Sequence, residues 1–285
     1  MQICETLTLK KCYVRKLRLK RYSLSTIQVY SCCFDHFINY FGEEVLPNLS
    51  ASEIHDYLLQ KIVPTYSKST QNQYINAIKF YYEKLMGKQK MTFQIDRPFK
   101  DHYLPVVLDQ KEVEKLLNTI KNLKHRSIIT LLYAAGLRIG EALNRKLLNI
   151  NSHRMVIEVQ SSKGNKDRIV PLRPPLLKLL RQYFKIYRPK KYLFEGANSN
   201  RYSASSVRKV IKKACQAAGI RKKVTAHTFR YSYATHLLEM GIDLRYIQTL
   251  PGHNSVKTTE IYTHVSTKAI GNIKSPLENL NLHDI

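Results

Sequence analysis

The sequence lacks the features that mark membrane-spanning and exported proteins. It contains no run of about 18 apolar residues, the length that a bilayer-spanning helix requires. It also has no basic start followed by an apolar core and a cleavage site, which is the pattern of an export signal. We therefore expect neither a membrane span nor secretion, and we predict that the protein stays in the cytoplasm.

Patterns typical of metal and nucleotide sites are absent as well. No two cysteines have the C-x-x-C spacing of a zinc site, and the five are Cys4, Cys12, Cys32, Cys33 and Cys215. The ten histidines include no H-E-x-x-H pair. No glycine-rich loop of the nucleotide-binding type is present. We predict that the protein needs no metal ion and no cofactor.

Acidic residues are scarce relative to basic ones. The chain has 21 Asp and Glu against 47 Lys and Arg, a net charge of +26. This excess predicts a polyanionic partner, and double-stranded DNA, RNA and a membrane surface all fit it. Residues 1–100 carry 15 basic and 8 acidic side chains, and residues 101–285 carry 32 and 13. Both parts are therefore basic, as a clamp around DNA would require.

Length and apolar content predict two domains. The chain has 285 residues, 44% of them hydrophobic, and domains commonly hold about 100 to 200 residues. The lysine-rich segment 88–105 contains Pro98 and Pro105 and has no sustained hydrophobic period, so we predict that it is a linker. The predicted domains are residues 1–100 and residues 101–285.

Hydrophobic periodicity predicts a helical bundle in the first domain. Apolar residues recur at three- and four-residue steps over residues 27–41, just before Gly42. Ser50 and Glu53 have the spacing of a capping box, and a third helix is predicted over residues 74–85. The Tyr and Phe side chains in these segments have the spacing of a buried core, although stacking on DNA bases is an alternative.

The second domain combines predicted helices with a short sheet. Asp109 can cap one helix, and a second apolar helix ends at Gly136. Further helices are predicted at about residues 175–187, 203–218, 227–240 and 243–250. Two β-rich runs, residues 155–159 and 168–172, flank a turn with Gly164 and Asn165 and predict a hairpin. The predicted fold class is mainly α with a small antiparallel β-sheet.

Polar motifs suited to attack on a phosphodiester are spread along the second domain. A tyrosine hydroxyl is a poor nucleophile at neutral pH and needs cations and donors directed at the phosphate. His227 and Arg230 form an H-x-x-R motif whose spacing places them on one helical face. In chain order, the candidate residues are Arg138, Lys163, His227, Arg230, His253 and Tyr262.

This ordered set resembles the signature of the tyrosine recombinases, of the phage-integrase and Xer type. The resemblance extends from about residue 10 to the C-terminus. It implies a SAM-like, core-binding helical bundle followed by an α+β catalytic domain. It also implies a site-specific enzyme that cleaves and rejoins DNA strands without ATP, through a 3′-phosphotyrosine intermediate.

The resemblance also implies a role for each motif residue. Tyr262 would be the nucleophile, and Arg138 and Arg230 would together bind a non-bridging oxygen of the scissile phosphate. Lys163 would protonate the leaving 5′ oxygen, with Lys166 as its nearby competitor. His227 would accept or orient the tyrosine proton, and His253 would donate to a non-bridging oxygen. Glu141 is expected to hold an arginine or histidine of the site.

Other basic residues are candidate DNA contacts. A charge run near the start of the chain contributes most of them, and the set is Arg15, Lys16, Arg18, Lys20, Arg21, Lys166 and Arg168. One position departs from the family pattern, because Pro251 stands where the family usually has leucine before Gly-His. A proline there would end the preceding helix early and could shift His253.

The apolar tail, residues 266–285, predicts an assembly. In family members such a segment docks on a neighbouring subunit, so the resemblance implies a homotetramer on two DNA sites; packing within the same chain is the alternative. We expect the protein to be bacterial and associated with the nucleoid. Two alternative functions remain at this point, a type IB topoisomerase and a catalytically silent DNA-binding regulator.

Overall fold

The computed structural model describes residues 8–88, 95–99, 104–159 and 167–249. The chain divides into two compact units, residues 1–102 and residues 103–285, which are described separately below. Within the described ranges, no helix combines the length and the apolar character that a membrane crossing requires.

In its described residues the first unit has four α-helices, α1 Leu9–Leu19, α2 Leu24–Phe41, α3 Ala51–Tyr57 and α4 Lys68–Phe80. Each of the last three begins at a serine whose hydroxyl accepts a backbone N–H of the first turn. The capping box predicted at Ser50 and Glu53 is confirmed, as is the stop of α2 at Gly42, which has a φ of +87°. The helix α1 was not predicted, because its basic residues obscure the apolar period.

Aromatic side chains form the centre of this unit. The rings of Tyr13 and Phe34 stack with their centroids 4.0 Å apart, and Phe37 is fully buried beside Tyr57. The hydroxyl of Tyr13 donates to the carbonyl oxygen of Ala77 at 3.0 Å, so its polar end is satisfied inside the core. The prediction of a buried aromatic core is confirmed for Phe34, Phe37 and Tyr57, and Tyr13, on the helix that was not predicted, adds to it. These four rings are not available to stack on bases.

The second unit is mostly helical. Its helices are α5 Gln110–Thr119, α6 Leu123–Ala134, α7 Ile139–Leu143, α8 Pro174–Tyr187, α9 Ala204–Ala217, α10 Ala226–Glu239 and α11 Leu244–Thr249. The predicted cap at Asp109 is confirmed, with its carboxylate accepting the N–H of Glu112 at 2.8 Å.

A three-stranded antiparallel sheet accompanies these helices. Its strands, in the order β1-β2-β3, are β1 Ile150–Asn151, β2 Val156–Val159 and β3 Arg168–Pro171. Ile157 pairs with Val170, and Val159 pairs with Arg168, which confirms the predicted pairing of two strands. The sheet has one strand more than predicted. The turn with Lys163 and Lys166 lies outside the described residues.

The helix α6 is the centre of the second unit. Ile128, Ile129, Leu131 and Leu132 are all buried, so this helix is apolar on most of its circumference. It packs against α8, α9 and α10. Because α7 begins shortly after α6 ends and α10 packs on α6, residues that are about 90 positions apart in sequence meet at one end of α6.

Candidate active site

A glycine directs the chain from α6 into the site. Gly136 has a φ of +57°, which L side chains rarely adopt, and a Cβ at this position would lie 2.5 Å from Cδ1 of Tyr233. Both the conformation and the close approach of α10 therefore require glycine. Two residues later, Arg138 is the N-cap residue of α7.

Glu141 lies between two arginines. Its Oε2 accepts the backbone N–H of Arg138 at 2.8 Å, and its Oε1 accepts Nη1 of Arg138 at 2.9 Å. Arg168 donates Nη1 to Oε1 at 3.1 Å and Nη2 to Oε2 at 2.8 Å. Four donors thus match the roughly four lone-pair positions of one carboxylate. The carboxylate is fixed in position and orientation.

Glu141 remains ionised although it is buried. Its side chain is only 9% exposed. Burial by itself would raise the pKa, but the hydrogen bonds from Arg168 and from the backbone of Arg138, with the charge of Arg168, hold the pKa of Glu141 at about 2. A permanent anion therefore lies at the centre of this arginine cluster.

Arg138 and Arg230 differ in exposure. The side chain of Arg138 is 42% exposed, so a substantial part of it is open to solvent. Arg230 is 2% exposed, and its Nη1 donates to the carbonyl oxygen of Gly136 at 2.9 Å. The same nitrogen lies 3.9 Å from Oε2 of Glu141. One carboxylate is therefore close to both candidate phosphate-binding arginines.

His227 lies at the start of α10, three residues before Arg230, and is exposed. Its ring is nevertheless partly desolvated, and this effect, followed by the charges of Arg230 and Arg138, lowers the pKa of His227; the Glu141 carboxylate opposes the shift. The ring therefore favours the neutral form, which has one nitrogen able to accept a proton.

The structure gives Arg168 a different environment from the one expected of a DNA contact. Its side chain is only 10% exposed, and both terminal nitrogens donate to Glu141. The sequence suggested a DNA contact because the residue follows a basic turn. The alternation of the β-strand instead places the side chain on the same face of the sheet as buried Val159, with which residue 168 pairs.

Arg145 was not predicted as part of the site. It is 3% exposed, and its Nε donates to the backbone carbonyl of Glu141 at 2.9 Å. Its Nη1 donates to the carbonyl of Glu158 in β2 at 2.6 Å. The spacing of four residues from Glu141 was the only signal in the sequence, and it is common to many helical pairs.

Two tyrosines near Arg230 and one histidine have structural environments. Tyr233 packs against Gly136, and burial raises its pKa. Tyr231 is half-buried, with its ring centroid 6.4 Å from that of His227. His236 is buried and shares a hydrogen bond of 2.8 Å with the hydroxyl of Tyr133 on α6. This last contact joins α10 to α6 in the core.

The basic run of the first unit lies on and just after α1. Arg15, Arg18, Lys20 and Arg21 are exposed, and Lys16 is half-buried. The opposite face of the helix buries Tyr13 and Leu17. The exposed cations are therefore presented on a rigid element, as contacts to a phosphate backbone would require.

The remaining predicted residues lie outside the described residues. They are Lys163, Lys166, His253 and Tyr262, together with Pro251 and the tail 266–285. Among the residues that the structure does describe, no group of three or more His, Cys, Asp or Glu side chains could hold a metal ion.

Comparison with known families gives the site a context. Residues 106–269 match the model of the phage integrase family, and residues 10–91 match the phage integrase N-terminal SAM-like domain. The chain belongs to the phage integrase family. It is therefore a tyrosine recombinase by descent, an enzyme of the class that cleaves and rejoins DNA strands in site-specific recombination.

Curated relatives of this integrase-family chain extend over most of its length. A putative integrase/recombinase, y4qK, from Sinorhizobium fredii is 36% identical over 270 residues, covering 93% of this chain and 86% of the relative. Tyrosine recombinase XerA from Pyrococcus furiosus is 35% identical over 272 residues, covering 93% and 91%. These relatives lend no support to the topoisomerase or the silent regulator.

Solved structures of recombinases share the fold. A crystal structure of XerA recombinase has 30% identity and a TM-score of 0.56, covering 93% of this chain and 95% of that chain. XerH bound to palindromic difH substrate has 22% identity and a TM-score of 0.72, covering 92% and 83%. The predicted architecture, a SAM-like helical domain followed by a catalytic domain with a small antiparallel sheet, is confirmed.

Proposed function

We propose that this recombinase uses Arg138, Arg230 and His227 to bind and activate a scissile phosphate, with Tyr262 as its nucleophile. The observation that carries the proposal is the shared carboxylate of Glu141. It lies within hydrogen-bonding distance of Arg138 and 3.9 Å from Arg230, next to an exposed histidine of lowered pKa. Half-exposed Arg138 presents its positive charge to a phosphate. Buried Arg230 adds to the positive potential at the phosphate.

The proposed reaction conserves the phosphodiester energy. The hydroxyl oxygen of Tyr262 attacks phosphorus, a tyrosine–phosphate bond forms on the 3′ side, and the bond to the 5′ oxygen breaks. Lys163 gives its proton to the leaving 5′ oxygen, and Lys166 is the alternative donor. A 5′ hydroxyl from a second strand then reverses the step, so the two strands exchange without ATP.

The histidines have separate roles in this scheme. His227, which favours the neutral form, accepts or orients the proton of Tyr262. His253 donates a hydrogen bond to a non-bridging oxygen. The guanidinium groups stabilise the charge that builds up on those oxygens in the transition state, which is usually the largest contribution to catalysis of this kind.

The proposed substrate is double-stranded DNA in the bacterial nucleoid. The net charge of +26 and the exposed cations of α1 support it. Among structures with the same fold, XerH is bound to difH substrate, and lambda integrase forms a tetramer on a Holliday junction. We propose a homotetramer on two DNA sites, held together by the apolar tail 266–285.

Covalent trapping tests this function. Wild-type protein and Tyr262→Phe are incubated with nicked DNA from the flanks of the protein's own gene, with chelator and without ATP. The expected result is a 3′-linked protein–DNA adduct with wild type and with the matched controls Tyr231→Phe and Tyr233→Phe, and none with Tyr262→Phe. An adduct that persists in Tyr262→Phe, or an absolute need for metal, would overturn the mechanism.

A further inference from the structure

The side chain of Arg168 meets Glu141 in the geometry that fixes a carboxylate most completely. Its two terminal nitrogens donate to the two different oxygens, at 3.1 and 2.8 Å. Parallel donation of this kind holds both the position and the plane of the carboxylate. A lysine could keep the charge but would contact the carboxylate as a single point.

The orientation of that carboxylate matters for Arg138. Each oxygen that accepts from Arg168 also accepts from Arg138, one from its backbone N–H and one from Nη1. Rotation of the Glu141 carboxylate would therefore break contacts to both the main chain and the guanidinium of Arg138. Arg138 is the more exposed partner, and its side chain needs such a restraint to keep one rotamer.

The strand that carries Arg168 is held in place by hydrogen bonds to its neighbours. Arg168 begins β3 and pairs with Val159 of β2. The backbone carbonyl of Glu158, the neighbouring residue of β2, accepts from Nη1 of Arg145 at 2.6 Å, and Arg145 also donates to the backbone carbonyl of Glu141. The sheet is thus joined to α7 twice, once through the Glu141 main chain and once through its side chain.

We propose that Arg168 is a positioning residue for strand cleavage, which orients Glu141 and through it holds Arg138 against the scissile phosphate. The consequence for cleavage depends on the function proposed above, whereas the consequence for Arg138 does not. The proposal replaces the expectation that Arg168 contacts DNA. It explains why an arginine with a 10% exposed side chain occupies a strand next to a basic turn.

Amide hydrogen exchange tests the positioning in the absence of DNA. Arg168→Lys should accelerate exchange at the backbone N–H of Arg138 by about tenfold, because the charged acceptor of that N–H loses its restraint. The N–H of Val113, which donates to the backbone carbonyl oxygen of Asp109 at the start of α5, is the reference within the same molecule and should not change. Arg154→Lys, an exposed arginine in the turn between β1 and β2, is the matched control. Unchanged exchange at Arg138 would overturn the proposal.

DNA binding and cleavage distinguish positioning from contact. With the nicked DNA used for trapping, Arg168→Lys should bind within about twofold of wild type but form adduct on the order of 100-fold more slowly, as a misplaced catalytic group does. Glu141→Gln combined with Arg168→Lys should be little slower than Glu141→Gln alone. Weaker binding with a salt dependence reduced by about one phosphate contact would instead mean that Arg168 touches DNA.

The two proposals fail in different ways. If wild type forms no adduct with any DNA tested, the proposed function fails, and the exchange measurement still decides the role of Arg168. If wild type is active and Arg168→Lys cleaves at the wild-type rate, the function stands and the positioning role is overturned.

Discussion

Nη1 of Arg230 on α10 donates to the carbonyl oxygen of Gly136 at 2.9 Å, although 94 residues separate the two. Gly136 lies in the loop between α6 and α7, and its φ of +57° sets the direction in which the chain enters α7. Satisfying a buried guanidinium with that carbonyl fixes α10 against the loop that carries Arg138. The backbone turn at Gly136 therefore fixes the positions of both Arg138 and Arg230.

We expect Gly136→Ala to disrupt this turn. A Cβ there would meet Cδ1 of Tyr233 at 2.5 Å in a conformation that alanine rarely adopts, so the free energy of unfolding should fall by about 1 to 3 kcal/mol. The matched control is Gly140→Ala in α7, where a Cβ meets nothing within 4 Å. That variant should be unchanged or more stable by about 0.5 to 1 kcal/mol. Urea unfolding of both variants measures the difference, and equal stabilities would contradict the steric argument.

The carboxylate of Glu141 should make stability depend on acid pH. Its pKa in the folded protein, about 2, is below the ordinary value of 4.5, so its stabilising contribution is complete above pH 4.5 and is lost as the pH falls towards 2. Full loss corresponds to about 3 kcal/mol, and Glu141→Gln should remove this dependence.

Unfolding free energies of wild type and Glu141→Gln, measured from pH 6 to pH 2, check this expectation. The difference in unfolding free energy between wild type and Glu141→Gln should become steadily smaller as the pH falls. Glu114→Gln, at an exposed position of α5, is the control and should follow wild type at every pH. A constant difference between wild type and Glu141→Gln would show that Glu141 does not titrate in this range.

His227 should determine how the cleavage rate falls at acidic pH, the acidic limb of the pH–rate profile. Because desolvation and the charges of Arg230 and Arg138 lower its pKa, the ring remains neutral to a pH below about 6.5, the ordinary value for histidine. The rate of adduct formation at limiting DNA should therefore begin to fall only below that pH. In His227→Gln the rate should be lower and this limb should disappear. A limb that persists unchanged would assign it to another group.

The exposed cations of α1 should contribute to DNA affinity through phosphate contacts. Arg15→Gln combined with Arg18→Gln should weaken binding and reduce the slope of log affinity against log salt by about 2, because each lost contact removes about 0.9. The matched control is Lys10→Gln with Lys61→Gln, which removes the same charge from cations engaged with Asp35 and with the Tyr40 ring. Fluorescence anisotropy at several salt concentrations gives both slopes. Equal slopes for the two double variants would mean that the loss of affinity comes from the change in net charge alone.

Much of the fold could be predicted because its signals are local. The cap at Asp109 and the stop at Gly42 depend on residues within one helical turn, and the structure has each where the pattern predicts it. The pairing of β2 with β3 followed from two short runs around one turn. The helix α1 and the strand β1 were missed, because a basic face hides the period of one and two residues are too short to show a period in the other.

The sequence by itself determined which chemistry is available. Arg138, Lys163, His227, Arg230, His253 and Tyr262 occur in the order of the tyrosine recombinase signature, and that resemblance predicts phosphoryl transfer without any coordinates. Tertiary structure alone decided what each buried charge does. Arg168 and Arg145 are indistinguishable in sequence from dozens of solvated cations, and only strand alternation and helix packing turn them towards Glu141. Burial makes the difference, because a charge removed from water must find its partner inside the protein.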